Sequence, residues 1–113
     1  MSTLHRLAAL SGALAVIAGA FGAHGVSGQA AEWLKTGAQY QLVHAVAAIV
    51  VLQGRGRRLP ALLFVLGGML FAGTLYAMAF GAPRWLGAVT PLGGAALIAG
   101  WIVLAVGALP SRR

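Results

Sequence analysis

The sequence predicts an all-α membrane protein of four transmembrane helices in an antiparallel bundle, with both termini on the cytoplasmic side. Three observations predict it. Hydrophobic residues make up 60% of the chain and charged residues only 8%, against roughly 25% charged in a soluble domain. Four apolar stretches, at 7–23, 36–52, 60–80 and 91–109, each approach the ~20 residues that cross a hydrocarbon core. The four prolines fall at the edges of these stretches: Pro60 and Pro91 open segments, Pro83 lies in a connection and Pro110 follows the last. Proline lacks an amide donor and is tolerated best in a first turn or beyond a helix end. A chain of 113 residues makes one domain, 1–113.

The first helix is expected at about 7–23. Ser11, Ala15, Gly19 and Ala23 recur in it every four residues, a small-residue stripe that lets a neighbouring backbone approach in lipid. The segment runs into GAFGAHG at 19–25. There Gly19 and Gly22 read as contact surface and His24 as the exit into the headgroups. A short basic start, an apolar core and Ala18, Gly19 and Ala20 also fit a secretory signal peptide; the segment is expected to be kept as a span.

The second helix is expected at 28–52, capped by Ser27. Its opening, 29–35, is an amphipathic turn or two at the membrane surface, with Glu32 and Lys35 at pairing distance. The span behind it is the least apolar of the four. At 100° per residue Gly37, Tyr40, Gln41, His44, Ala47, Ala48 and Val51 share one face, which should look inward.

The third helix, about 60–80, carries Gly68 and Ala72 at packing spacing, with Thr74 and Tyr76 toward the outer side. The fourth, about 91–109, is expected to start with Thr90 as cap and Pro91 in the first turn. Gly93, Gly94, Ala96 and Gly100 are its packing residues.

Orientation follows from the positive charges, which stay preferentially in the cytoplasm. Four spans place Arg6, Arg55, Arg57, Arg58, Arg112 and Arg113 on one side and only Lys35 and Arg84 on the other. Trp33 and Trp85 then sit at the outer interface, where indoles gather. The arginines of the QGRGRR loop, Arg55, Arg57 and Arg58, hold this topology and touch anionic headgroups. That loop lacks the preceding strand and spaced glycines of a nucleotide-binding loop.

An ionisable residue within a span marks a candidate site. Counted at 1.5 Å per residue, His44 and Trp101 reach one depth from the cytoplasmic end, which offers a pairing of the indole N–H with a neutral imidazole. The reading preferred over it is that His44 bonds Tyr40 or a nearby carbonyl and only holds helices in register. His24, Tyr40, Gln41, His44, Tyr76 and Trp101 form the candidate polar cluster, binding or structural.

Other chemistry finds no residues to run on. Glu32 is the single acid, which removes carboxylate pairs and triads. There is no cysteine. His5, His24 and His44 lie at different depths and none forms an HxxxH pair, so neither a metal site nor haem is expected, and no cofactor. The net charge of +7 sits in short clusters without interleaved aromatics, so nucleic acid is not an expected partner.

GAFGAHG at 19–25, TGAQYQLVHA at 36–45, LFAGTLY at 70–76 and TPLGGAALIAGW at 90–101 together resemble the ordered signatures of the YgdD-like small membrane proteins, domain of unknown function 423, with the eukaryotic relatives called transmembrane protein 256. The resemblance covers nearly the whole chain. It implies a four-helix protein of the bacterial inner membrane without an established activity. It also implies that Gly22, His24, Tyr40, His44, Tyr76, Pro91, Gly93, Gly94 and Trp101 matter together. The function expected is that of a non-enzymatic structural or accessory module, in contact with membrane lipids, that self-associates or holds a membrane protein partner. The alternative is a small transport or ligand-binding protein for protons, a metabolite or lipid, working through Tyr40, Gln41 and His44.

Overall fold

A computed structural model describes residues 2–54 and 57–107. It is all-helical, with four long helices: α1 (Thr3–His24), α2 (Gly28–Val51), α3 (Arg58–Ala79) and α4 (Thr90–Gly107), a short 3-10 helix (Arg84–Ala88) preceding the last. Arg55, Pro110, Arg112 and Arg113 fall outside the described residues, as does the expected end of the fourth helix at 109.

The helix ends follow local chemistry. α1 starts earlier than expected because Ser2 caps it, its hydroxyl accepting from the His5 amide at 3.2 Å. The helix runs through GAFGAH and stops at His24. Ser27 does precede α2 in an extended conformation, but its side chain makes no capping bond. The reversal is made by Gly28, whose φ of 67° lies in the left-handed region open to glycine. α3 begins at Arg58, so Pro60 occupies its first turn. Thr90 does not act as the expected cap. It is already helical, and its hydroxyl reaches back to the Leu86 carbonyl at 3.2 Å and across to Thr74 Oγ1 at 2.6 Å. The 3-10 helix feeding straight into α4 leaves no extended residue to act as one.

Consecutive helices pack antiparallel. α1 lies along α2, α2 along α3 and α3 along α4, with α1 grazing α3. At these seams small residues stand in for a conventional apolar core. Gly22 faces Leu34 and Gly12 faces Ala45 between α1 and α2; Gly37 faces Tyr76 and Ala72 between α2 and α3; Gly67, Gly93 and Gly100 take Ala96, Phe71 and Phe64 between α3 and α4. The buried set is rich in alanine, with Phe64, Leu34 and Val65 as its bulk.

The α1 stripe is rotated relative to the expected one. Ser11, Ala15, Ala18 and Gly22 are buried, Gly19 is half-buried and Ala23 is exposed. A strict four-residue step advances 400° and so drifts about 40° per step off a straight seam, which alternating steps of three and four correct.

Large apolar side chains instead point outward: Leu10, Ile17, Val50, Leu66, Ile98 and Ile102 are among those exposed. α1, α3 and the stretch from Arg84 to Gly107 are long and apolar enough to cross a membrane. α2 is the exception, its mean lowered by Glu32, Lys35, Gln41 and His44 among others.

Candidate functional site

Two polar connections leave α2 at mid-length, from adjacent turns. The first starts at Gln41, one of the most deeply buried side chains, 1% exposed. Its amide nitrogen donates to Ser11 Oγ on α1 at 2.9 Å, and its carbonyl oxygen accepts from the Tyr76 hydroxyl on α3 at 2.7 Å. One side chain thus links three helices. Gly37 makes room for this, since a methyl there would stand 2.8 Å from the Tyr76 ring.

The second connection starts at His44. The Trp101 indole N–H donates to His44 Nε2 at 2.9 Å, and His44 Nδ1 lies 2.6 Å from the Tyr40 carbonyl. An indole nitrogen only donates and a carbonyl only accepts. His44 is therefore a neutral imidazole with its proton on Nδ1, and both ring nitrogens are engaged. The two sequence alternatives, Trp101 or a local carbonyl, are met together. Phe64 packs against both rings, 4.7 Å from Trp101 and 5.5 Å from His44 between centroids.

The expected inward face of α2 is right at Gly37, Gln41, His44, Ala48 and Val51 and wrong at its edge. Tyr40 is 47% exposed, while Ala38 and Ala45 take core places. Two flanking helices, α1 and α3, bury α2 on two sides, which shifts the buried arc toward Ala38 and Ala45. Tyr40 packs its ring against that of Phe71 of α3, tilted by 57° with 5.0 Å between centroids.

Tyr40, His44, Phe71, Gly94, Leu97 and Trp101 line a groove of about 300 Å³ that opens sideways between α2 and α4. Gly94 belongs to its wall. It is only partly buried, with the Phe71 ring in ordinary contact 3.8 Å from where a methyl would be, whereas Gly93 takes the tight packing place.

His24 does not join the cluster. It is exposed at the end of α1 beside Ile17 and Phe21, because the helix carries it past the buried turns before it ends. Conversely, Ser11 is more than a packing residue, and the Thr74–Thr90 bridge between α3 and α4 was not expected. Ser11 and Gln41 stand equally far from His24 and Gly28, the ends that meet at the turn. Depth matching of the kind applied to His44 and Trp101 would have paired them.

At the end where α1 meets α2, Glu32 and Lys35 pair as expected, at 3.6 Å and largely exposed, a contact worth little in itself. The Arg84 guanidinium lies 5.7 Å from the centre of the Trp33 ring. At the opposite end Arg57 and Arg58 share a pocket with Ser2 and His5. No group of three potential metal-binding side chains occurs among the described residues.

Residues 18–94 match the family model described as Protein of unknown function (DUF423). The chain belongs to this family. Its relatives include a UPF0382 membrane protein of Haemophilus influenzae, 40% identical over 94% of this chain and 93% of the relative. The UPF0382 inner membrane protein YgdD of Escherichia coli K12 is 38% identical over 94% and 88%, and the UPF0382 membrane protein YwdK of Bacillus subtilis 41% over 91% and 93%. No solved structure matches. The matched segment holds both hydrogen-bonding residues of α2 and stops before Trp101. This is a membrane protein of a family whose biochemical activity is unknown.

Proposed function

We propose that the chain crosses the bacterial inner membrane four times, with both termini in the cytoplasm, and acts as a non-enzymatic structural or accessory helical module. The observation that carries this reading is how completely the polar side chains are used internally. Gln41, His44, Tyr76, Trp101, Thr74 and Thr90 bond one another or nearby backbone. Among the described residues no buried side-chain nitrogen or oxygen lacks a partner. A catalytic or conducting site needs a group left available for substrate. Here such groups serve as bolts between helices, which association in lipid rewards.

The outward leucines, isoleucines and valines support insertion, since an apolar surface of this extent suits lipid and not water. α2 fits as the second span despite its composition. Its polar side chains within the span are spent inside, while Leu42, Val43, Val46 and Val50 are exposed. The contacts of such a module are membrane lipids and a second copy or another membrane protein, with no role for nucleic acid. The groove beside Tyr40 and Trp101 favours a second reading, a small apolar ligand or lipid held against the aromatic walls.

Trp101→Phe tests the structural reading. It keeps a ring but leaves His44 Nε2 without its donor, and is expected to cost about 0.6–2 kcal/mol of stability in detergent. The imidazole ¹⁵N signals should lose the pure Nδ1–H pattern. Neither the parent nor His44→Ala should carry protons or solutes across liposomes. Flux through the parent that a still-folded His44→Ala abolishes would replace the structural reading with the conducting one.

A further inference from the structure

We propose that the pocket between the start of α1 and the α2–α3 connection binds a phosphate group, carried by an anionic phospholipid headgroup or by a free phosphate. The proposal rests on the four-span reading, which puts this end at the headgroup level.

The pocket holds about 300 Å³ and is lined by Ser2, His5, Leu52, Gly54, Arg57 and Arg58. Arg57 lies across Gly54, where a methyl would stand 3.2 Å from its Cγ. Ser2 Oγ is 2.8 Å from His5 Nδ1 while also accepting the His5 amide. In the tautomer whose Nδ1 accepts from the hydroxyl, the ring's own proton sits on Nε2 and is free to donate to an anion. The N-termini of α1 and α3 both end here, with no acidic residue in either first turn, and each brings partial positive charge, one of them offset by the C-terminus of α2, whose cap Leu52 also lines the pocket.

The two ends of the molecule differ in how their cations are compensated. The only acidic side chain of the chain, Glu32, is at the far end and pairs with Lys35, and Arg84 there rests on Trp33. The pocket has two arginines and a histidine, and no carboxylate side chain exists to balance the guanidiniums. An external anion with several acceptor oxygens answers that excess, and phosphate matches the planar donor fork of arginine.

The test uses the full chain in nanodiscs of mixed phosphatidylcholine and phosphatidylglycerol, with native mass spectrometry reading the lipid retained. The parent should keep phosphatidylglycerol in preference. Arg57→Gln with Arg58→Gln should reduce that preference about thirtyfold, from roughly 1 kcal/mol per arginine at 1.4 kcal/mol per decade. Arg84→Gln at the other end should leave it unchanged. His5→Gln, which keeps the fold's charge pattern, should give a smaller loss in the same direction, so a misfolded double variant does not decide the matter. Inorganic phosphate that displaces the lipid and binds the parent in detergent would identify free phosphate as the ligand and uphold the site. Equal retention of both lipids together with no phosphate binding by the parent, or a folded double variant that behaves as the parent, would overturn it. A chain that fails to enter the nanodisc would instead count against the four spans.

Discussion

Replacing Gly93 with alanine is expected to cost about 2–3 kcal/mol, among the larger losses a single methyl inflicts. The added methyl would fall against the backbone nitrogen of Phe71, 2.8 Å from the Phe71 Cα and 2.8 Å from the Gly67 carbonyl oxygen. Backbone does not swing aside as a long side chain does, so α3 and α4 must separate. Separation also loosens the Gly100–Phe64 contact and the Thr74–Thr90 bond on the same seam. The control is Gly73→Ala on α3, where nothing lies within 4 Å of the new methyl. There alanine should be neutral or stabilise by up to ~1 kcal/mol, the ordinary gain over glycine within a helix. Unfolding in mixed micelles compares the two directly, and equal effects would mean that α3 and α4 are not held this closely.

Gln41→Leu is the second large effect, with an expected loss of about 2–4 kcal/mol from two missing bonds and the buried groups they leave behind. Leucine has nearly the volume of glutamine, so the loss reports hydrogen bonding more than packing. Ser11 loses its donor and Tyr76 its acceptor, on two different helices. A double-mutant cycle of Gln41→Leu with Tyr76→Phe should show coupling of about 0.6–1.7 kcal/mol, the range for bonds between membrane helices. Independent, additive losses would mean that Gln41 does not connect α2 to α3.

The helices and much of this network are legible in the sequence. Length, hydropathy and proline placement locate four helices because a bilayer allows little else. The His44–Trp101 pair is legible because depth along antiparallel helices is a count of residues. What is not legible is rotation about each axis. The α1 stripe fails at Ala23, and Tyr40 turns outward, because a helix flanked on two sides buries an arc that its own periodicity does not define. Gly67 looks no different in sequence from Gly73, yet one packs on Ala96 and the other meets nothing. His24, grouped with the polar cluster by residue type, stands outside it at the helix end, where its place in the sequence also puts it. Thr90 carries both a cap's residue type and a cap's position. Only the 3-10 helix before it, which the sequence does not announce, turns its hydroxyl to Leu86 and Thr74.

The central claim is that α2 crosses the membrane although it is the least apolar of the four helices. The chain has no cysteine, so single cysteines at Ser27, Gln53 and Ala82 can each be probed in intact cells with a maleimide that does not cross the inner membrane. Four spans with cytoplasmic termini predict labelling at Ser27 and Ala82 and protection at Gln53 until the membrane is opened. Labelling of Ser27 and Gln53 alike would mean that α2 lies along the surface, and would contradict the account.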